Sequence, residues 1–177
     1  MPMCVCSVAN CTALLIQQND WSGSMNRSWA EYKVGFGERS RHYWLGNDLL
    51  SQLTANYRYK LKIDLQSIVT GNWYVAKYSR FRVLPESYSY TLQVGGFSGN
   101  ASYDALGDCS GLKFSTFDRD NDQRSYRNYA AMYGGGCWYD DSYNQCLVNA
   151  AFSTGHFQWY RLPGGPGLQR SLMWLMC

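Results

Sequence analysis

Charged side chains are scarce in this chain of 177 residues: Asp, Glu, Lys and Arg make up 16% of it, and the net charge is only +3. A chain without a strongly basic segment is not predicted to bind nucleic acid. No apolar run approaches the length of about 18 residues that a membrane-spanning helix requires, so no span is predicted. The two histidines, His42 and His156, lie in no catalytic motif, and phosphate loops and nucleophile elbows are missing. The sequence therefore does not predict an enzyme.

Aromatic residues and glycine are abundant, with 15 Tyr, 7 Trp and 17 Gly. This mixture favours β-structure with many turns over a helical bundle. The length suits one domain with a substantial core.

Seven cysteines are many for a cytosolic protein of this size, and three N-x-S/T sequons occur, at Asn10, Asn26 and Asn100. Both features favour a secreted, disulfide-containing glycoprotein. The first residues lack the charged and apolar regions of a signal peptide, so we expect the sequence to be a fragment. Residues 1–12 show no periodicity and stay unassigned.

Two short helices are predicted in the first third of the chain. Ser28 and Glu31 form a capping box, which begins a helix that ends near Gly35. A second helix is predicted from Asn47 as N-cap through Leu53.

Alternating apolar and polar residues predict strands over 57–65 and 88–94, and an apolar pattern after a Gly-Asn turn predicts one over 73–78 with continuation to 83. Apolar runs predict strands over 13–17 and 171–176. Pro85 breaks the pattern, and Gly95-Gly96 is expected to end its strand. Successive strands joined by short turns predict an antiparallel meander. The fold class is therefore α+β, with a sheet half over about 13–112, a loop-rich half over about 113–170 and a closing strand over about 171–177.

The loop-rich half begins with an acidic loop. Asp118, Asp120 and Asp122 occupy alternate positions, from which their oxygens can converge on a hard cation such as Ca²⁺. The residue pattern excludes an EF-hand, because Gln123 and Tyr129 replace its glycine and its bidentate glutamate. A solvated, Asx-rich turn is the alternative interpretation.

An aromatic cluster follows the acidic loop. Its members could line a shallow pocket for a neutral sugar or an acetyl group, or could form the core of the loop-rich half. The cluster consists of Tyr129, Tyr133, Trp138, Tyr139, Tyr143 and Phe152.

Six segments of the chain resemble, in order, the motifs of fibrinogen-related (fibrinogen C-terminal-like) domains, including ficolin- and tachylectin-like members. The segments are NRSWAEYKVGFG (26–37), YWLGN (43–47), YKLKIDL (59–65), AKYSRF (76–81), YTLQVGGFSG (90–99) and GLKFSTFDRDND (111–122). The resemblance implies a central twisted antiparallel sheet with short helices over 13–177, followed by a loop-rich Ca²⁺-binding subdomain.

The resemblance also implies site residues. Calcium would be bound by the carboxylates of Asp120 and Asp122 and by the backbone carbonyls of Arg124 and Tyr126, while Asp118 would have a supporting role. The ligand pocket would include Tyr133 and, less directly, Phe152, with Trp138 and Tyr143 as further candidates. The implied function is secreted, Ca²⁺-dependent binding of acetylated or other carbohydrates. The alternatives are a matrix or signalling module that binds cell-surface or matrix glycoproteins, as in tenascin- or angiopoietin-like relatives, and a degenerate copy without a ligand.

Several positions depart from the family pattern. The cysteines of the disulfide that brackets the pocket would fall at Tyr129 and Ser142, and the pocket histidine is Tyr143. Cys137 replaces the first Trp of a Trp-Trp pair, and a substitute bridge from Cys137 to Cys146 is one possibility. The N-terminal subdomain is expected to be truncated before Ala13. Homo-oligomers, if formed, are expected to use regions outside this chain.

Overall fold

The computed structural model describes residues 13–20, 23–56, 58–141, 146–151 and 155–177. Its strands are β1 (Ala13–Asn19), β2 (Phe36–Gly37), β3 (Tyr43–Trp44), β4 (Lys60–Ser67), β5 (Trp73–Val83), β6 (Leu92–Gly99), β7 (Phe114–Ser115), β8 (Cys137–Trp138), β9 (Cys146–Leu147), β10 (Gln158–Trp159) and β11 (Leu168–Met176). Seven of them form an antiparallel sheet in the order β2-β3-β1-β11-β4-β5-β6. Two short strand pairs, β7-β8 and β9-β10, lie in the loop-rich part.

The predicted meander is confirmed, since β4, β5 and β6 are neighbours in the sheet. The closing strand β11 begins at Leu168, before the predicted start, and lies between β1 and β4. The first strand extends two residues beyond its predicted end. The strand predicted over 57–65 is found at 60–67, and position 57 lies outside the described residues. The α+β class with a large antiparallel sheet is therefore confirmed.

The strand predicted over 88–94 is wrong in its first half. Residues Glu86–Tyr88 form a 3-10 turn, and Ser89 and Tyr90 both adopt left-handed conformations with φ of 49°. Tertiary contacts favour this conformation at Tyr90, because its ring stacks on Trp29 and its hydroxyl donates to Asp48 Oδ1 at 2.6 Å. Regular pairing begins only at Leu92.

Gly95 and Gly96 lie inside β6 and do not end it, contrary to the prediction. Gly96 has a φ of +73°, and a Cβ atom there would lie 2.0 Å from the hydroxyl oxygen of Ser79 on the neighbouring strand. Glycine therefore allows the two strands to approach closely at this point.

Three α-helices are found in the described residues: α1 (Trp29–Val34), α2 (Asn47–Thr54) and α3 (Tyr129–Tyr133). The predicted capping box of α1 is present, since Ser28 Oγ accepts from Glu31 N while the Glu31 carboxylate accepts from Ser28 N. The predicted N-cap of α2 is wrong: Gly46 is the cap, and Asn47 is the first helical residue. The Asn47 amide oxygen instead accepts from Trp44 Nε1 at 3.0 Å inside the core.

The aromatic core connects the sheet to the loop-rich part through Phe114 on β7. This fully buried ring contacts four aromatic rings, with centroid distances between 5.1 and 6.3 Å. Three of these rings belong to the sheet half: Trp29 and Tyr32 on α1, and Trp44 on β3. The fourth ring, Trp138, belongs to the loop-rich part. Packing of β7 against α1 therefore fixes where the acidic loop starts.

The cysteine positions correct one prediction. Cys137 is buried and its sulfur is not part of a disulfide, so the predicted substitute bridge to Cys146 is not formed. Cys109 is also buried and not part of a disulfide, and burial raises the pKa of its thiol. Cys177 is disulfide-bonded. No helix in the described residues has the length and apolar character needed to cross a membrane.

Candidate calcium and ligand site

Asn121 anchors the middle of the acidic loop to β7. Its side-chain amide donates to the carbonyl of Phe114 at 2.9 Å, and its backbone N–H donates to Ser115 Oγ at 3.0 Å. Because Asn121 lies between Asp120 and Asp122, these two bonds fix the segment that carries both carboxylates predicted to bind calcium. The sequence suggested no role for this asparagine beyond turn formation.

Asp118 fastens the start of the loop to α1. Its Oδ1 atom accepts from the backbone N–H of Trp29 and from the Thr116 hydroxyl, both at 2.8 Å. Trp29 is the first residue of α1, and its N–H has no partner within the helix. The negative carboxylate also interacts favourably with this end of the helix. Asp118 thus has a structural role of its own at the start of α1.

Arg119 adds a second attachment to α1. Its guanidinium lies 4.0 Å from the Trp29 ring centroid and 3.5 Å from the carboxylate of Glu86. Glu86 also accepts from Trp29 Nε1 at 2.7 Å and from Lys33 Nζ at 2.5 Å. These contacts lower the pKa of Glu86, with the Lys33 hydrogen bond as the largest cause. Two residues of the acidic loop therefore contact Trp29 of α1: Asp118 binds its backbone N–H, and Arg119 lies over its ring.

Asp120 and Asp122 organise the turn that follows. Asp120 Oδ1 accepts from Asp122 N at 3.1 Å, and Asp122 Oδ1 accepts from Arg124 N at 2.8 Å. Asp122 Oδ2 accepts from the backbone N–H of Tyr129 at 2.9 Å, at the first residue of α3. Burial raises the pKa of Asp122, although the two N–H groups oppose this, and the nearby Asp120 charge raises it further.

The oxygen atoms of this turn suit a hard cation. Each carboxylate oxygen has lone pairs beyond those used by the N–H groups. The backbone carbonyls of Arg124 and Tyr126 accept no hydrogen bond from another described residue. No group of three or more His, Cys, Asp or Glu side chains that could hold a metal occurs in the described ranges. A cation here would therefore depend on two carboxylates and backbone carbonyls, which are ligands that Ca²⁺ accepts and that Zn²⁺ does not prefer.

Helix α3 and the segment after it form a stack of aromatic rings. Tyr133 lies 5.5 Å from Tyr129, 6.1 Å from Tyr139 and 4.6 Å from the ring of His156. Tyr133 is 5% exposed, and Tyr139 is buried with its hydroxyl donating to the carbonyl of Gly135. Burial raises the pKa of Tyr139. His156 belongs to no sequence motif, so the sequence analysis missed its position beside Tyr133.

Trp138 lies in the core and not in a pocket wall. It is 3% exposed, its Nε1 donates to the carbonyl of Tyr90 at 2.8 Å, and its ring packs on Phe114. In this structure it therefore offers no face to a ligand. The other two predicted pocket residues, Tyr143 and Phe152, lie outside the described residues.

A pocket of about 270 Å³ opens between the acidic loop and the segment before β7. Asn121 and Asp122 line one side, and Lys113 and Tyr139 are among the other lining residues. The pocket places a carboxylate, an amide and an ammonium group around one concave surface. Such a set can orient a small polar group by hydrogen bonds.

Two of the predicted glycosylation sites lie in the described residues, and both are exposed. The Asn26 side chain extends from the segment before α1. The Asn100 Oδ1 atom accepts from Val75 N at 2.7 Å, and the residue is exposed. Asn10 lies outside the described residues. Both described positions are thus accessible to a modifying enzyme, and their modification stays a prediction.

Comparison with known proteins now decides the family. Residues 4–167 match the family model of the C-terminal globular domain of fibrinogen beta and gamma chains. The chain belongs to this family. Fibrinogen-like domains are recognition and binding modules, and the solved globe domain of human ANGPTL2 superposes with a TM-score of 0.80 at 32% identity, covering 92% of this chain and 79% of that one.

Curated relatives are extracellular proteins of several kinds. Fibrinogen-like protein A of Apostichopus parvimensis is 36% identical over 85% of this chain and 51% of its own length. Human Ficolin-3 is 38% identical over 75% of this chain and 44% of its own length. Mouse tenascin is 37% identical over 78% of this chain and 6% of its own length. The chain thus spans about half or less of these relatives, which include both a ficolin and matrix or signalling proteins.

Proposed function

We propose that this chain is an extracellular recognition domain that binds Ca²⁺ at Asp120 and Asp122 and acetylated carbohydrate beside Tyr133. One observation carries the proposal: Asp122 Oδ2 accepts from the N–H of Tyr129, the first residue of the helix that ends in Tyr133. The acidic turn is therefore hydrogen-bonded to the start of α3. In this proposal, a cation that orders the turn also helps to hold Tyr133 in place at the end of that helix.

Calcium would be bound by the carboxylates of Asp120 and Asp122 and by the backbone carbonyls of Arg124 and Tyr126. Bound Ca²⁺ would supply positive charge between two carboxylates whose repulsion contributes to the raised pKa of Asp122. Hydrogen bonds within the protein hold the rest of the acidic loop in place. Asn121 binds the turn to β7, and Asp118 binds its start to α1. In this proposal calcium stabilises the turn and does not contact the sugar.

The carbohydrate would contact the part of the aromatic stack that Tyr133 and His156 form together. Their rings lie 4.6 Å apart, and they combine an apolar surface with a phenol and an imidazole. An acetyl methyl group suits the apolar surface, and its carbonyl can accept a hydrogen bond. Tyr143 and Phe152 are proposed to complete this surface. Trp138 is left out because its ring packs on Phe114 and its Nε1 donates to the carbonyl of Tyr90, both in the core that joins this part to the sheet half.

Retention on immobilised N-acetylated and non-acetylated sugars tests the proposal, with free acetate as competitor. Acetate-sensitive retention on the acetylated sugar is expected in millimolar Ca²⁺. We expect Tyr133→Ala to remove it, whereas Tyr88→Ala, at a tyrosine 62% exposed elsewhere, should retain it. Loss of retention in chelator would indicate that binding of the acetylated sugar requires calcium. Retention that is insensitive to acetate would contradict a carbohydrate site.

Binding of a protein partner is the second candidate. Tyr133 is only 5% exposed, whereas Tyr126 is 68% and Met132 is 42% exposed on the outer side of the same region. Such side chains suit a protein interface better than a sugar pocket. A lamprey fibrin structure in complex with the peptide ligand Gly-His-Arg-Pro-amide superposes with a TM-score of 0.80 at 26% identity. Capture of an extracellular glycoprotein that Tyr126→Ala and Met132→Ala abolish would favour this candidate.

A further inference from the structure

The solvent-exposed face of the large sheet carries a group of lysines that the proposed function does not use. Lys62 on β4 lies directly opposite Lys77 on β5, and Lys60 precedes Lys62 by two residues on the same face. Like charges in directly opposed cross-strand positions reduce the stability of a sheet. The arrangement is therefore costly unless something anionic offsets it.

Among the residues that the structure describes, an acidic side chain offsets only one of these charges. Lys62 forms an ion pair with Asp64 at 2.9 Å, and Asp64 also accepts from Trp174 Nε1 at 2.9 Å. Lys60 and Lys77 are exposed and form no ion pair with any other residue in the described part of the chain. The cationic side chains beside α1 are not left without an ion pair in this way, because Lys33 and Arg119 each form one with Glu86.

The register of the sheet extends the lysine pair into a row. Trp174 on β11 lies opposite Lys62, and Ser98 on β6 lies opposite Lys77. The row across four neighbouring strands thus reads Trp174, Lys62, Lys77, Ser98. Since neighbouring strands are about 4.8 Å apart, the row is about 14 Å long. Lys60 lies beside it, about 7 Å from Lys62 along β4. These five residues are called the lysine face below.

A groove of about 460 Å³ opens at the lysine face, and every member of that face except Trp174 lines it. Its lining includes all three lysines, the serines at positions 79 and 98, and Met176. Ammonium groups bind anionic oxygens, and serine hydroxyls both donate and accept hydrogen bonds. The groove therefore combines positive charge with neutral hydrogen-bonding groups.

We propose that the lysine face binds a linear sulfated polysaccharide. The row is long and narrow, which suits one extended chain that carries anionic groups at regular intervals. The serines and the methionine suit the hydroxyl groups and the ring carbons between those anions. A membrane surface fits less well, because none of the large hydrophobic side chains that are strongly exposed belongs to the lysine face. The family's relatives are extracellular, where sulfated polysaccharides occur.

Binding to an immobilised sulfated polysaccharide, with the same polymer desulfated as control, tests this proposal. The double variant Lys60→Gln/Lys77→Gln should weaken binding about tenfold or more at about 0.15 M salt, and binding should fall as salt rises because screening weakens charge interactions. The matched control is Arg39→Gln/Arg41→Gln, which removes the same charge from the exposed turn before β3. We expect the control to retain nearly the binding of the unmodified chain.

Three results would overturn the proposal: equal loss in the two double variants, equal binding to the desulfated polymer, or tighter binding to anionic vesicles or to nucleic acid. Melting curves of both double variants check that each is folded. The proposal does not depend on calcium or on Tyr133. Binding should therefore persist in chelator and in free acetate, so the failure of either proposal is distinguishable from failure of the other.

Discussion

In the sheet, β4 pairs with β11 on one side and with β5 on the other along most of its length, whereas β7 pairs with β8 over two residues only. The loop-rich part is instead held by side chains that bind backbone groups, such as Asp118, Asn121 and Asp122. Strand pairing depends mainly on backbone atoms that every sequence has. Side-chain attachment depends on particular residues, so single substitutions should affect the two regions differently.

Phe114→Ala tests the junction between the two regions and should have the largest effect. The ring is fully buried against four other rings, and its removal should cost about 3–5 kcal/mol of unfolding free energy. Denaturant unfolding measures this value. Phe117→Ala is the control, because Phe117 is 45% exposed and should cost less than about 0.5 kcal/mol. Similar costs for the two variants would contradict the junction.

Asp118→Ala tests the attachment of the acidic loop to α1. The change leaves the Trp29 N–H without its acceptor and should cost about 1–3 kcal/mol. Asp118→Asn keeps an oxygen acceptor in the same place and should recover most of the loss. Equal melting temperatures for the Ala and Asn variants, both well below that of the unmodified chain, would indicate that charge and not hydrogen bonding matters here.

Ser28→Ala tests local helix capping on the sheet side. The variant loses the acceptor for the Glu31 N–H and should lose about 1 kcal/mol. Ser28→Thr retains a hydroxyl cap and also retains the sequon at Asn26, so it controls for any effect of glycosylation. Chemical denaturation of the three proteins gives the comparison. A threonine variant as unstable as the alanine variant would argue against the capping contribution.

The smallest expected effect is the pH dependence that Glu86 contributes. Its pKa is lowered in the folded state by Lys33 first and then by Trp29 and Arg119. A carboxyl whose pKa is lowered in the folded state adds stability above its ordinary pKa, which is 4.5 for glutamate. That stability is lost as the pH falls through the lower pKa of the folded state. Glu86→Gln should therefore lower stability at neutral pH and flatten its decline in acid. A slope unchanged by the substitution would contradict the assigned contacts.

The sheet was largely predictable because apolar alternation is a local property that burial on one face enforces. The capping box at Ser28 was equally local. Tyr90 was not predictable from alternation, since its left-handed conformation depends on distant contacts with Trp29 and Asp48. The role of Asn47 was not predictable either, because its side-chain oxygen accepts a hydrogen bond from Trp44 Nε1 and does not cap α2.

The candidate site was predictable only in part. Sequence spacing and family resemblance named Asp120 and Asp122, but could not reveal that Asp122 binds the first residue of α3. Aromatic character alone does not distinguish a core ring such as Trp138 from a ring that lines a pocket. No sequence motif indicates His156, because its proximity to Tyr133 exists only in three dimensions. The lysine face likewise requires the register that places Lys77 opposite Lys62.

The melting temperature with and without calcium tests the central claim that side-chain oxygens of one acidic turn organise the loop-rich part. For a cation at about a hundred times its dissociation constant, binding adds about 2.7 kcal/mol of stability. Millimolar Ca²⁺ should therefore raise the melting temperature of the unmodified chain, and Asp120→Ala/Asp122→Ala should remove the gain. The control Asp104→Ala/Asp108→Ala, on a different turn, should retain the gain. Identical melting curves of the unmodified chain in Ca²⁺ and in chelator would contradict the claim.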